Sequence, residues 1–77
     1  MNFDKELDTR GMSCPLPILK TKKALADMLG GQLLKIVSTD CGSVKDMQAF
    51  AEQTGNTLLA QTETNGEYLF YMRKKGG

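Results

Sequence analysis

Residues 57–74 read TLLAQTETNGEYLFYMRK, two strand-like runs around an Asn-Gly turn. Thr57–Glu63 and Glu67–Lys74 have strand composition, rich in Thr, Leu, Tyr and Phe. Between them stands Thr64-Asn65-Gly66. Asn-Gly fills the positive-φ positions of a tight hairpin turn at the least steric cost, so the two runs are expected to pair antiparallel. Tyr68, Phe70, Tyr71 and Met72 then belong to the core and the sheet faces. Upstream, Val44, Met47, Phe50 and Ala51 form a helical stripe ending at Gly55, with Ser43 and Asp46 at capping-box spacing. Before that, Gln32–Thr39 is a nearly continuous, partly β-branched apolar run, as expected of a strand deep in a sheet. From Pro15 to Leu29, Ile18, Leu25, Met28 and Leu29 share one helical stripe, and Gly30-Gly31 is expected to end that helix. Lys5–Thr9, centred on Leu7, reads as an edge strand. The order is β-α-β-α-β-β, an α/β (α+β) two-layer sandwich. Right-handed crossovers place both helices on one face if they run in the same direction.

The chain has 77 residues, 40% of them hydrophobic and 25% charged, which fits one domain over residues 1–77. A domain this small buries only about 60% of its unfolded surface, so chemistry is expected at the surface and not in a deep cavity. A net charge of +1 supplies no general field for phosphates, and direct nucleic-acid binding is not expected. The sequence contains no histidine, which removes Cys/His and Ser/His/Asp catalytic pairs, and two cysteines alone cannot complete a zinc site. No metal or other cofactor is expected. No apolar run approaches the roughly 20 residues of a membrane span, and Met1–Asp8 has no stretch suited to a signal peptide. A cytoplasmic location follows, where two cysteines more often mean reactive or buried thiols than a structural disulfide.

Cys14-Pro15-Leu16-Pro17 carries the most chemical information. Proline suits the first helical turn because its φ is fixed and its missing N–H has no partner there anyway. Cys14 is therefore expected at or next to the N-cap, where the helix dipole and free amides favour thiolate, with Arg10 and Lys20 as candidate nearby cations. The alternative is a small inert side chain at a turn. Cys41, in Asp40-Cys41-Gly42-Ser43, follows the second strand and is expected at the same end of the sheet. It is either a second, resolving thiol or an incidental small residue. Lys20, Lys22 and Lys23 either dock an acidic partner beside Cys14 or form a solvated helix face. Met12 and Leu16 are candidates for a small apolar docking patch.

Taken together, Leu7-Asp8, Gly11, Cys14-Pro15-x-Pro17, Gly30-Gly31, Thr39-Asp40, Gly42-Ser43, Lys45-Asp46, Phe50, Gly55-Asn56, Gly66, Tyr68 and Arg73 resemble the TusA family, also called SirA-like, of small sulfur carriers. The resemblance runs almost end to end. It implies a mixed four-stranded sheet with two helices on one face, similar to the C-terminal domain of translation initiation factor three. Strands one to three are then parallel, with strand four antiparallel between two and three. It further implies a persulfide carrier of sulfurtransferase type without independent turnover. Cys14 would be the acceptor, with Arg10, Gly11, Met12, Pro15 and Pro17 as the surrounding motif. A cysteine desulfurase or rhodanese-like protein would donate sulfur, and an acceptor sulfurtransferase protein would receive it. The destination would be tRNA 2-thiouridine, molybdenum cofactor or a sulfur-oxidation pathway. Cys41 departs from the family, which often has proline there. Leu16, at the variable position of the motif, and the lysine-rich helix hint at a different partner surface.

Other readings compete. A binding or regulatory module would use Arg73, Lys74 and Lys75 beside the aromatic strand to hold RNA or protein. A thiol redox regulator would pair Cys14 with Cys41. A ubiquitin-like carrier would use Gly76-Gly77, against the two-helix pattern.

Overall fold

The six elements of the computed structural model, which describes residues 2–76, are β1 (Lys5–Thr9), α1 (Leu16–Ala26), β2 (Leu33–Ser38), α2 (Ser43–Thr54), β3 (Thr57–Thr64) and β4 (Glu67–Arg73). The strand order is β1-β2-β4-β3. β1 runs parallel to β2, with Leu7 opposite Ile36 and Thr9 opposite Ser38. β4 runs antiparallel to both its neighbours, pairing Ile36 with Phe70 on one side and Thr64 with Glu67 at the hairpin on the other. The expected sandwich and strand directions are therefore observed, with β1 at an edge and β2 inside.

The period of two along β2 separates the faces of the sheet. Leu34, Ile36 and Ser38 point at the helices and are fully buried, while Leu33, Lys35 and Val37 lie half-buried on the open face. Phe70 and Met72 of β4 join the buried set, covered by Ala24 and Leu25 of α1 and by Met47, Phe50 and Ala51 of α2. The hairpin turns on Asn65 at φ 52° and Gly66 at φ 80°, the two positive angles that Asn-Gly suits. A bulge between Leu58 and Ala60 shifts the β3 register and leaves Leu59 42% exposed.

One boundary of each helix differs from the sequence expectation. α1 ends at Ala26, before the glycines. Beyond it the chain tightens, as the Asp27 N–H turns back to Ala24 O (3.3 Å) and the Met28 N–H to Leu25 O (3.0 Å). Met28 thus stays in the core at 7% exposure, whereas Leu29 swings out to 72% and leaves the stripe. Gly31, at φ 89°, belongs to the turn into β2, its N–H donating to Lys74 O at 2.9 Å. At the start of α2 the N-cap is Gly42, not Ser43. The Ser43 hydroxyl is instead buried against Ser38 Oγ (2.6 Å) and the Asp40 carbonyl, so no capping box forms. Gly55 closes α2 in the left-handed conformation, as expected. Gly77 of the terminal Gly-Gly lies outside the described residues.

Candidate functional site

The β1–α1 loop carries the motif cysteine, and three hydrogen bonds tie it to the end of β2. Thr9 Oγ1 donates to Val37 O (2.6 Å), the Gly11 N–H to Thr39 Oγ1 (2.8 Å), and the Cys14 N–H to Asp40 Oδ2 (3.1 Å). The other oxygen of Asp40 accepts from the Gly42 N–H at 3.4 Å. One carboxylate therefore holds the loop of Cys14 to the loop of Cys41. Pro15 is the N-cap of α1 and Pro17 stands within its first turn, so Cys14 lies one residue outside the cap. The Cys14–Pro15 peptide is cis. Pro17 is buried, and its carbonyl accepts from the buried Thr21 hydroxyl at 2.8 Å, which anchors the first turn against the core.

Cys14 is a free, exposed thiol. Beside it a shallow groove of about 280 Å³ runs between the helices, walled by Pro15 and Ile18 from α1 and by Asp46, Ala49, Phe50 and Gln53 from α2. The surroundings of Cys14 do not favour thiolate as a helix N-terminus can; the thiol is pushed up. The nearby Asp46 side chain is the largest cause, followed by desolvation and by the charges of Asp46 and Asp40. The reason lies in the first turn. Pro15 and Pro17 have no N–H, and the Leu16 N–H is taken by Ser13 O at 2.9 Å. Arg10, expected to favour thiolate, is paired with Asp8 (2.9 Å) and Glu67 (3.6 Å) instead. That pairing holds the Asp8 carboxyl below the usual carboxylate range, with the Arg10 side-chain hydrogen bond as the main cause.

Cys41 is also free and exposed, and it reaches the same end of the sheet as Cys14. The two have different neighbours: Cys14 shares a groove with Asp46, whereas Cys41 lies near Tyr68, whose hydroxyl is pushed up chiefly by desolvation and then by Glu63. Leu16 is 44% exposed and Met12 half-buried near the motif, while Lys20, Lys22 and Lys23 all face solvent along α1. Lys22 shares a second groove with Phe50, Lys74 and Lys75, away from the thiol. The aromatic residues of β4 do not line up as a stacking surface, because Phe70 is fully buried and Tyr71 lies on the opposite face. Among the described residues, no three or more Cys, Asp or Glu side chains gather as a metal site. No helix among them is long and apolar enough to cross a membrane. Sequence reasoning missed Asp40 as a clamp and Asp46 as the neighbour of the thiol. Asp46 carries a signal, its place in the first turn of α2, but its spacing from Ser43 points to a cap instead.

The fold and the site define a class: a small α+β sandwich that presents one exposed cysteine on a proline-bounded loop before its first helix. The chain belongs to the TusA family, whose model, described as sulfurtransferase TusA, matches residues 5–74. It is 52% identical to the sulfur carrier protein TusA of Allochromatium vinosum, over 95% of this chain and 96% of that one. It is 46% identical to the putative sulfur carrier protein YrkF of Bacillus subtilis, over 92% of this chain but only 38% of that one. The crystal structure of a SirA-like protein from Desulfitobacterium hafniense superposes with a TM-score of 0.83 at 26% identity, over 94% of this chain and 99% of that one.

Proposed function

We propose that the protein is a sulfur carrier that takes up sulfane sulfur as a persulfide on Cys14 and hands it to an acceptor protein. The observation that carries this reading is an exposed, unpaired thiol on a loop fixed from both sides, by Asp40 through its amide and by the buried Pro17 behind it. A nucleophile that must meet partner proteins needs access and a rigid mount, and this site provides both. In loading, Cys14 Sγ attacks the outer sulfur of a donor persulfide. The donor S–S bond breaks, the donor sulfur leaves with the electron pair and takes up the proton that Cys14 gives up, and Cys14 becomes Cys14–S–SH. In discharge, an acceptor thiolate attacks that outer sulfur and Cys14 leaves as thiolate. Neither step needs an added oxidant.

A cysteine desulfurase or rhodanese-like protein is the donor in this reading. The acceptor is a sulfurtransferase serving tRNA 2-thiouridine, molybdenum cofactor or sulfur oxidation. A reducing cytoplasm, which keeps both thiols free, is the matching setting. The test is intact-protein mass spectrometry of the wild type, Cys14→Ser and Cys41→Ser after incubation with a desulfurase and cysteine, or with thiosulfate or polysulfide. A reducible gain of about 32 Da that disappears only in Cys14→Ser supports the reading. No gain from any donor, or a gain that survives without Cys14, sinks it. A redox pairing with Cys41 is the second reading, favoured by the exposure of both thiols at one end of the sheet. It requires a Cys14–Cys41 disulfide to form under mild oxidation.

A further inference from the structure

We propose that Asp40 is a positioning residue for Cys14: its carboxylate carries the rigidity of the sheet to the loop of the thiol and so aims the sulfur at a partner protein. Its purpose rests on the sulfur-carrier reading, while the clamp itself stands on geometry. Asp40 Oδ2 accepts from the Cys14 N–H at 3.1 Å and Oδ1 from the Gly42 N–H at 3.4 Å, so one side chain spans both loops that bear thiols. Bonds from an amide to an ionised carboxylate are among the stronger hydrogen bonds. Asp40 is in turn held from below. Its N–H donates to Ser38 Oγ at 3.2 Å, and its carbonyl accepts from the Ser43 N–H at 3.0 Å and from the Ser43 hydroxyl. Both serines are buried. A continuous run of hydrogen bonds therefore leads from the helix-facing side of β2 to the amide of Cys14.

Two restraints meet on the backbone of Cys14. Asp40 holds its nitrogen, and its carbonyl side leads directly into Pro15, the N-cap of a first turn anchored by the buried Pro17. Rotation about the Cα–Cβ bond is then the main freedom left to the sulfur. The Gly11 N–H bond to Thr39 Oγ1 at 2.8 Å steadies the same loop three residues earlier, whereas Asp40 reaches the residue that bears the sulfur. The negative charge of Asp40 disfavours thiolate, so activation is not what it contributes. It contributes aim. A small reagent meets an exposed thiol from many directions. A donor protein must bring its persulfide into line with Cys14 Sγ inside a docked complex, where a misplacement of about 1 Å can cost about a hundred-fold in rate.

The test compares the full chain with Asp40→Ala and Asp40→Asn. Both variants remove the charge, but asparagine keeps one accepting oxygen and alanine none. An effect of charge is therefore equal in the two, and an effect of position is graded. Amide hydrogen exchange read by NMR needs no sulfur donor. The Cys14 N–H should exchange about ten-fold faster in Asp40→Ala, as expected for the loss of one hydrogen bond, while Ile36 and Phe70 keep their protection and show the fold intact. With a cysteine desulfurase and cysteine, persulfide loading of Cys14 should slow about ten-fold in Asp40→Ala and less in Asp40→Asn. Alkylation of Cys14 by iodoacetamide, followed by peptide mass, should not slow in either. If alanine prevents folding, Asp40→Asn decides alone, with faster Cys14 exchange and slower loading than the parent as the expected results. Unchanged Cys14 exchange, or parental loading in spite of faster exchange, overturns the proposal. So do equal losses of loading in the two variants, or alkylation that falls in step with loading. A parent chain that takes up no sulfur, while Asp40→Ala frees the Cys14 amide, contradicts the carrier reading alone.

Discussion

Ser43→Ala isolates the buried hydroxyl pair beneath the thiol loops. Ser38 and Ser43 are 0% and 1% exposed, and their Oγ atoms lie 2.6 Å apart. Ser43 Oγ donates to the Asp40 carbonyl, and Ser38 Oγ accepts from the Asp40 N–H at 3.2 Å. Alanine at 43 removes two of these contacts and strands part of the Ser38 hydroxyl in a site closed to solvent. An unpaired buried hydroxyl costs about 1–3 kcal/mol, so a loss near 2 kcal/mol is expected. In urea, where a small domain has an m-value of about 1 kcal/mol per molar, the midpoint should fall by about 2 M. In a thermal melt, Tm should fall by about 8–16 °C. The cycle with Ser38→Ala sharpens the test: the double variant should lose much less than the two single variants added, since removing both hydroxyls leaves neither stranded. A single-variant loss under about 0.5 kcal/mol, or strict additivity, would refute the account of this network.

Two further outcomes test the corrected helix end and the hairpin. Met28→Ala should cost about 2–5 kcal/mol by urea denaturation and Leu29→Ala less than about 0.5, because one side chain is in the core and its neighbour in water. A single helical stripe through both residues would demand similar losses. Gly66→Ala should destabilise by about 1–2 kcal/mol, all of it conformational. The added methyl meets nothing within 4 Å, but it must adopt φ 80°.

The elements were legible where one signal acted alone. Asn65-Gly66 admits few backbone shapes, and the run from Leu33 to Ser38 can hardly be anything but an inner strand, so hairpin, strand and helix order follow from local chemistry. Boundaries failed where two signals competed. Gly30-Gly31 looked like a helix stop, but the chain had already tightened at Asp27, and Gly31 was needed to meet Lys74 across the sheet. Ser43 looked like a cap, but a buried partner on β2 claimed its hydroxyl. The place of Cys14 beside the N-cap follows from its prolines, whereas its electrostatics could not be read from the sequence. They depend on Asp46, 32 positions downstream in sequence, and on Arg10 pairing with Asp8 and Glu67. Contacts of that range leave no periodic trace in a sequence.

The antiparallel seam between β2 and β4 gives the molecule a working pole and a tether pole. Lys5 begins β1 opposite Leu34, and Arg73 ends β4 opposite Leu33, so the first and last strands both meet the start of β2. Cys14 and Cys41 follow the far ends of β1 and β2, roughly 17 Å away along the six residues of β2. A neighbour fused at either terminus would attach at the tether pole and leave the thiol facing outward. This polarity keeps the end that bears the thiols clear of whatever is joined at the other.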